Sequence, residues 1–119
     1  MANTFEQLVD QHLNEIWNQR DEVLRIKAIE STYTKDFTLF LKDEVITGHD
    51  AINQKVTSLL NSIPSNFFIS PLKPVDINNN MGKLDWGIGT KEAPPVRTGV
   101  DIVTFEGNKI KYFYVFFNS

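Results

Sequence analysis

Three titratable side chains, Asp101, His12 and His49, stand where this sequence could use them for chemistry. Asp101 falls in phase with Val103 in a β-type run, so it shares the apolar face of a predicted strand. A carboxyl group moved out of water has a raised pKa; it can donate a hydrogen bond to a ligand oxygen when neutral and act as a base when ionised. The structural alternative is that Asp101 pairs with Arg97, a buried tyrosine or a backbone amide.

The two histidines have less distinctive surroundings. His12 lies in a helical apolar stripe between Leu8 and Ile16, where it is either an acid or base that lines a cavity or an ordinary core residue. His49 precedes the first turn of a predicted helix and either supports that helix start or approaches a cavity. Neither histidine has a second ligand at i, i+4 spacing, and the sequence has no cysteine. We therefore predict no metal site, no disulfide and no cofactor.

Three predicted helices come first among the elements that must position these residues. The first opens with a capping box of Thr4 and Gln7, and the second starts from Asp21 as its N-cap. The third opens at residues 48–50 and stops before Pro64, since proline disfavours the helical conformation in the residue before it. The apolar positions expected to form the buried face of the second helix are Val23, Ile26, Ile29 and Tyr33.

The second half of the chain reads as strands. The period-2 and β-branched runs predict strands at residues 36–41, 45–47, 84–90, 96–105 and 109–117, with an edge segment at 67–76 that contains two prolines. Gly107 and Asn108 predict a hairpin turn before the last strand. Helices followed by an antiparallel sheet predict one α+β domain over residues 1–119.

The last strand is apolar on both faces, which is unusual for a sheet with one solvated side. One face is predicted to carry Ile110, Tyr112, Tyr114 and Phe116, and the other Lys111, Phe113, Val115 and Phe117. The chain's own helices can cover one face only. We therefore expect a homodimer in which Tyr112, Tyr114 and Phe116 meet a second copy.

Composition argues against several classes of partner. The net charge is −3, and the twelve Lys and Arg residues are scattered, so no stripe is available for nucleic acid. No apolar run approaches the roughly 20 residues of a membrane span, and the first residues lack a signal-peptide pattern. We expect a cytoplasmic protein that binds neither nucleic acid nor membrane.

Three local patterns carry a resemblance to a known family. They are Trp17-Asn18-Gln19-Arg20-Asp21, Gly48-His49-Asp50-Ala51-Ile52, and Gly99-Val100-Asp101-Ile102-Val103 followed by Gly107-Asn108-Lys109-Ile110. In this order and spacing they resemble the SnoaL-like group of the nuclear transport factor 2-like superfamily, which includes ketosteroid isomerase, limonene epoxide hydrolase and polyketide cyclases. The resemblance implies a cone-shaped curved antiparallel sheet wrapped around three helices. It also implies an apolar cavity at the open end and an outer sheet face that often mediates dimerisation.

The resemblance to ketosteroid isomerase can be followed position by position. That enzyme uses a carboxylate base, with a tyrosine and a protonated aspartic acid as oxyanion donors. In this sequence the base position corresponds to Leu41, the tyrosine to a position near Leu13, and the aspartic acid to Asp101. Because leucine cannot move a proton, steroid-type isomerisation with the usual base is not expected.

The face of its helix or strand on which each side chain falls, together with the cone that the resemblance implies, predicts the walls of an apolar pocket. The predicted ligand-binding residues are Trp17, Tyr33, Phe37, Leu41, Leu59, Trp86, Phe113 and Phe117. The Tyr33 hydroxyl needs a partner once buried and could relay to Asp101.

Three functions remain open at this point. The first is a cofactor-independent acid–base enzyme of the isomerase, cyclase or hydrolase type that acts on a hydrophobic small molecule through Asp101, His12 or His49. The second is a non-catalytic small-ligand-binding module, and the third is a dimeric assembly module.

Overall fold

The computed structural model describes residues 4–118. In chain order, the helices and strands are α1 (Phe5–Gln11), a π-helical segment (His12–Trp17), α2 (Glu22–Thr32), β1 (Tyr33–Leu41), β2 (Glu44–Thr47), α3 (His49–Ser62), β3 (Phe68–Pro71), β4 (Asp76–Asn78), β5 (Met81–Gly89), β6 (Arg97–Glu106) and β7 (Lys109–Phe117). None of the helices within residues 4–118 is long and apolar enough to cross a membrane.

The predicted helix starts are confirmed. Thr4 and Gln7 form a reciprocal capping box at the start of α1, and the Asp21 carboxylate accepts hydrogen bonds from the first turn of α2. The first helix does not stay α-helical, however: after Gln11 it continues as a π-helical segment up to Trp17. In that segment the hydrogen bonds run from residue i+5 to residue i, as in the 2.9 Å bond from the Asn18 amide to the Leu13 carbonyl.

The prediction for the buried face of α2 is wrong in part. Val23 and Ile26 are 65% and 40% exposed, whereas Arg25 is only 2% exposed. The Arg25 guanidinium faces α3, where Nε donates to Asn53 at 2.8 Å and Nη2 donates to the Thr57 hydroxyl. Burial of this charge is tolerated because its donors are satisfied by α3 and by the carbonyl that precedes α2. Of the four predicted positions, Ile29 and Tyr33 are buried, whereas the first turns of the helix bury Arg25 instead of Val23 and Ile26.

The strands form one seven-stranded sheet in the order β2-β1-β7-β6-β5-β3, with β4 also paired to β5. All pairs are antiparallel except β1 with β7, which are parallel. The predicted α+β class, with a curved sheet against three helices, is confirmed. The sheet was predicted to be antiparallel throughout, but it is mixed, because β7 lies beside β1 and runs in the same direction. β3 lies at an edge, as its prolines predicted.

The faces of β7 differ from the prediction at one point. A register shift between Thr104 and Phe105 places Ile110 opposite Phe105 and Tyr112 opposite Thr104, so Lys111 is an extra residue in the strand. Ile110 therefore lies in the core, fully buried, instead of on the outer face with Tyr112. Beyond the bulge the two predicted faces of the strand alternate as the period of a strand requires.

The helices pack on the inner face of the sheet, and this is where the core lies. The inner positions of the central strands are Tyr33, Phe37 and Leu39 of β1, Leu84 and Trp86 of β5, Asp101, Val103 and Phe105 of β6, and Phe113 of β7. Asp101 is thus a charged-type side chain in the middle of an apolar inner face.

Candidate functional site

The first helix supplies two polar aromatic side chains to the inner face of the sheet. His12 and Trp17 are both buried, at 1% and 8% exposure, and lie at the two ends of the π-helical segment. The wider turn of a π-helix brings residues five apart closer to one side than an α-helix does. Both side chains therefore reach the same partner, the hydroxyl of Tyr33.

Tyr33 stands at the start of β1 with no exposed surface. Its hydroxyl accepts a hydrogen bond from Nε1 of Trp17 at 3.0 Å and lies 2.5 Å from Nδ1 of His12. Burial raises the pKa of the Tyr33 phenol well above its usual value, although the Trp17 bond opposes that rise. The phenol is therefore neutral and keeps its proton.

Counting donors and acceptors assigns the proton on His12. The indole N–H of Trp17 can only donate, so the Tyr33 oxygen accepts from it. The Tyr33 oxygen could accept a second bond, but its O–H would then lack an acceptor, because Trp17 and His12 are its hydrogen-bond partners within residues 4–118; the O–H therefore donates to Nδ1 of His12. A neutral His12 whose Nδ1 accepts carries its proton on Nε2, and that nitrogen lies 3.6 Å from Oδ2 of Asp101.

Asp101 completes the network from β6. It is 5% exposed, and its direct cross-strand neighbours are Leu84 and Val115. Burial raises the pKa of the Asp101 carboxyl, and the nearby His12 partly opposes that rise. The structural alternative of an ion pair with Arg97 does not occur, because the Arg97 guanidinium lies over the Phe117 ring at 4.1 Å.

Trp86 borders this carboxyl from β5. Its indole N–H also lowers the pKa of Asp101, although it forms no hydrogen bond of normal geometry. The ring lies over Gly99, where a β-carbon would come within 2.3 Å of Cζ2 of Trp86 and 2.6 Å of the Phe116 carbonyl oxygen. Glycine at this position is therefore what allows the indole to lie beside Asp101.

A cleft of about 450 Å³ opens next to the network, between α1 and residues 71–75. Its lining includes Leu13, the neighbour of His12, and Leu84, the cross-strand partner of Asp101. His12 and Asp101 do not line the cleft themselves, but each has a direct neighbour that does. The other lining residues are Glu6, Gln7, Val9, Asp10, Pro71, Leu72, Lys73, Pro74 and Val75.

The structure brings two of the three predicted catalytic candidates together. Nε2 of His12 lies 3.6 Å from Oδ2 of Asp101. His49, the first residue of α3, is not part of this network: its Nε2 lies 2.9 Å from the carbonyl oxygen of Thr34 in β1. Tyr33 was predicted to relay to Asp101, and in the structure His12 stands between them. Within residues 4–118 no cluster of three ligand-type side chains could hold a metal ion.

Of the remaining predicted pocket residues, two pack against the side chains of the network and three lie farther from it. Phe113 packs edge-on against His12 at 4.5 Å, and Phe37 stacks on Tyr33 at 3.7 Å. Leu41 and Leu59 are partly buried against the core, and Phe117 is 49% exposed at the end of β7. None of these five residues belongs to the lining of the cleft.

Sequence reasoning missed the residues that form the cleft itself. Leu13 and Leu84 read as core positions, and residues 71–75 read as an edge connection. The prolines at 71 and 74 were the available signal, because proline interrupts strand pairing: β3 ends at Pro71, and after the bond from the Leu72 amide to the Asp85 carbonyl the chain crosses to β4 as the loop that lines the cleft.

The Trp17–Asp21 motif has a structural explanation. The Asn18 side chain donates to the Ile69 carbonyl at 2.7 Å and accepts from its amide at 2.8 Å, so it binds the edge strand β3 as another strand would. Arg20 donates to the carbonyls of Leu60 and Pro64 at the end of α3. The motif thus joins the first helix, β3 and α3 around the inner site.

No protein-family model matches the chain, and no curated protein sequence matches it. Solved structures do match. A proposed isomerase of the SnoaL-like family from Agrobacterium tumefaciens superposes with a TM-score of 0.85 at 15% identity, over 95% of this chain and 96% of that one. A proposed polyketide cyclase from Sinorhizobium meliloti gives a TM-score of 0.72 at 13% identity, over 92% and 93% of the two chains.

A third neighbour is a nuclear transport factor 2-like (NTF2-like) protein of unknown function from Cytophaga hutchinsonii. Its TM-score is 0.73 at 14% identity, and the match covers 99% of this chain and 93% of that one. At such identities the likeness establishes the arrangement of the backbone and leaves the chemistry to the residues of each chain. The chain therefore has the fold of the SnoaL-like and NTF2-like proteins, as its sequence motifs predicted.

Proposed function

We propose that this protein is a cofactor-independent acid–base enzyme in which Asp101 and His12 move protons on a neutral, largely apolar small molecule. The observation that carries the proposal is the 3.6 Å approach of Nε2 of His12 to Oδ2 of Asp101 inside an apolar core. A carboxyl group, which is neutral or negative, and an imidazole, which is neutral or positive, can pass a proton between them at this separation with little movement.

The cost of this arrangement supports a functional role. Burying a carboxyl and an imidazole costs free energy that an apolar pair of similar volume would avoid. The raised pKa of Asp101 brings its titration closer to neutral pH, where a carboxyl can both take and return a proton. The Tyr33 bond fixes which nitrogen of His12 faces the carboxyl.

The cleft supports the choice of substrate class. Most of its lining is apolar, and its polar rim includes the carboxylates of Glu6 and Asp10. The rim cation, Lys73, is paired with Asp85 at 3.2 Å. An anionic ligand would meet net negative charge at this rim, so a neutral ligand is favoured. We choose carbonyl compounds as the first candidates, because the hydrogen next to a carbonyl group is acidic enough for a carboxyl–imidazole pair to remove and return.

The test uses proton exchange, which requires no knowledge of the product. Cyclic and aryl ketones are incubated with the protein in D₂O, and deuterium uptake at the carbon next to the carbonyl is followed by mass spectrometry. We expect wild type to accelerate uptake for some of these ketones and Asp101→Asn to lower the rate by about 10²–10⁴-fold. His12→Gln should also lower it, because the imidazole is lost while the volume is roughly kept.

His49→Gln is the matched histidine control. His49 bonds a backbone carbonyl outside the network, so its replacement should leave the exchange rate within about two-fold of wild type. Full activity in Asp101→Asn would refute the assignment of the carboxyl. Ketones that bind without any exchange in wild type would favour the non-catalytic ligand-binding module instead.

The outer face of the sheet supports a second proposal, a homodimer. The Phe40 ring stacks on Tyr114 with ring centres 4.5 Å apart, and Tyr112 packs edge-on against the Phe40 ring with centres 5.8 Å apart. Val100, Ile102, Tyr112 and Tyr114 are half-buried, and Phe116 is 58% exposed. The helices pack on the opposite face, and an aromatic surface with Lys111 at its margin, 5.5 Å from the Tyr112 ring, suits an identical surface related by a two-fold axis.

Light scattering at micromolar concentration tests the dimer. We expect a dimer for wild type and a monomer for Tyr114→Glu, whose charge would be buried unpaired at the centre of the interface. Val23→Glu is the control, because Val23 is 65% exposed on α2, away from the sheet face. A monomeric wild type would remove the proposal.

A further inference from the structure

Two buried nitrogens near Asp101 lack hydrogen bonds. Among the buried side-chain nitrogen and oxygen atoms of residues 4–118, only Nε2 of His12 and Nε1 of Trp86 have no partner. Both side chains are more than nine-tenths buried, at 1% and 6% exposure. Such atoms are rare in native proteins, and each one needs an explanation.

The two nitrogens border the same carboxyl group. Nε2 of His12 lies 3.6 Å from Oδ2 of Asp101, which is too long for a hydrogen bond but short enough for one further atom to contact both. Trp86 lies diagonally across from Asp101: Leu84 is the direct cross-strand partner of Asp101, and Trp86 pairs with Gly99 two residues along the same face. The missing side chain at Gly99 leaves the indole room beside the carboxyl.

We propose that Nε2 of His12, Nε1 of Trp86 and the Asp101 carboxylate together bind a single hydroxyl oxygen, from an alcohol group of the ligand or from water. The proposal rests on the site of the proposed function but adds Trp86 as a ligand-binding donor and specifies the group that is bound. One oxygen at about 2.9 Å from each partner would satisfy both free N–H groups.

The numbers of donors and acceptors select a hydroxyl. An indole N–H can only donate, and His12 presents an N–H in the tautomer fixed by Tyr33. A hydroxyl oxygen can accept both of these bonds and donate its own proton to the Asp101 carboxylate. A ketone oxygen can accept both bonds but has nothing to donate to the carboxylate, and a hydrocarbon pairs none of the three groups.

The experiment uses the fact that the chain has two tryptophans. In ¹⁵N-labelled protein each gives one indole signal, and Trp86→Phe assigns them. The Trp17 signal is the internal reference, because its N–H donates to Tyr33 at 3.0 Å. The protein is titrated with cyclohexanol, cyclohexanone and methylcyclohexane, three probes that share a ring and differ in the polar atom.

We expect cyclohexanol to move the Trp86 signal downfield toward hydrogen-bonded values and to leave Trp17 nearly unchanged. Trp86→Phe should bind cyclohexanol about ten-fold more weakly, while binding of methylcyclohexane changes less. If cyclohexanol has no effect but the free protein shows a hydrogen-bonded Trp86 signal with a cross-peak to a long-lived water, the site exists and water is its occupant.

The proposal is overturned if the Trp86 N–H has the signal of an unbonded group in the free protein and does not respond to cyclohexanol. Measurable binding of cyclohexanol with the same affinity in Trp86→Phe and wild type would also overturn it. Neither result touches the acid–base proposal, which depends on the loss of deuterium exchange in Asp101→Asn. Conversely, if deuterium exchange survives in Asp101→Asn, the acid–base proposal fails, but a hydrogen-bonded Trp86 signal in the wild-type protein would still support the hydroxyl site.

Discussion

Replacing Tyr33 with phenylalanine tests whether the buried network contributes to stability as its geometry indicates. The substitution removes one oxygen atom from a side chain with no exposed surface and keeps the ring that stacks on Phe37 at 3.7 Å. Two buried groups then lose their partner, namely Nδ1 of His12 and Nε1 of Trp17. The core packing is otherwise retained, so the effect reports on hydrogen bonding.

The magnitude follows from those two groups. A buried polar atom left without a partner costs about 1–3 kcal/mol, so two of them cost about 2–6 kcal/mol. The phenylalanine recovers part of this, because the hydroxyl no longer has to be removed from water on folding. We therefore expect Tyr33→Phe to lower the free energy of unfolding by about 2–4 kcal/mol, a large share of the roughly 5–15 kcal/mol typical of a domain.

Urea unfolding followed by tryptophan fluorescence and by circular dichroism measures this change. The midpoint should fall while the slope of free energy against urea stays as in wild type, since the surface exposed on unfolding is the same. Tyr112→Phe is the matched control, because it loses the same atom from a half-exposed ring on the outer face and should change stability by less than about 0.5 kcal/mol. Equal effects of the two substitutions would refute the network as a source of stability.

Two further predictions concern the neighbours of this network. Burial raises the folded-state pKa of Asp101 above the unfolded value of about 3.9, so wild type should lose stability relative to Asp101→Asn as the pH rises from about 4 to that raised pKa. Urea midpoints of both proteins across pH 3.5–7.5 measure this difference, and a difference that is flat with pH would contradict it. Gly99→Ala should destabilise the protein by about 1–3 kcal/mol or more and shift the Trp86 fluorescence, because the new methyl group overlaps the indole and a backbone carbonyl that cannot move aside. Unchanged stability and fluorescence in Gly99→Ala would show that the indole can lie elsewhere.

The features that local sequence determines were predicted well. The capping box of Thr4 and Gln7, the Asp21 cap and the turn at Gly107, which has a φ of 59°, all depend on residues within four positions of each other. Most strands followed from period-2 spacing, and the phase of Asp101 placed it correctly on the inner face. The short strand β4 was not predicted, and Tyr33, which helical spacing had assigned to the second helix, is the first residue of β1.

The features that failed depend on contacts between distant segments. The buried face of α2 is set by Arg25, whose partners on α3 are 28 and 32 positions away. The bulge at Lys111 depends on how β7 pairs with β6, and a single extra residue moved Ile110 to the other face. Helix periodicity could not reveal the π-helical segment, because apolar spacing there is compatible with an ordinary α-helix.

The candidate site was predicted as residues but not as an arrangement. Asp101 and His12 were each chosen from the apolar phase of their own element, and nothing local shows that the two elements meet. Their approach requires the first helix to pack across β6, and the position of Tyr33 requires β1 to pair in parallel with β7. The cleft was not predicted, because it forms between the first helix and the loop after β3, two segments about 60 positions apart in the sequence.

The network also explains why the resemblance to ketosteroid isomerase extends to the fold further than to the chemistry. By the sequence resemblance, that enzyme's base and tyrosine positions fall at Leu41 and near Leu13; Leu41 packs against the core, and Leu13 lines the cleft. A tyrosine hydroxyl is present, but it comes from Tyr33 on β1 and reaches Asp101 only through His12. Under the proposed function, the His12 imidazole would carry the proton, and no separate carboxylate base at position 41 would be required. A search for substrates should therefore begin with compounds that one carboxyl–imidazole pair can protonate and deprotonate, rather than with steroids that need the missing base.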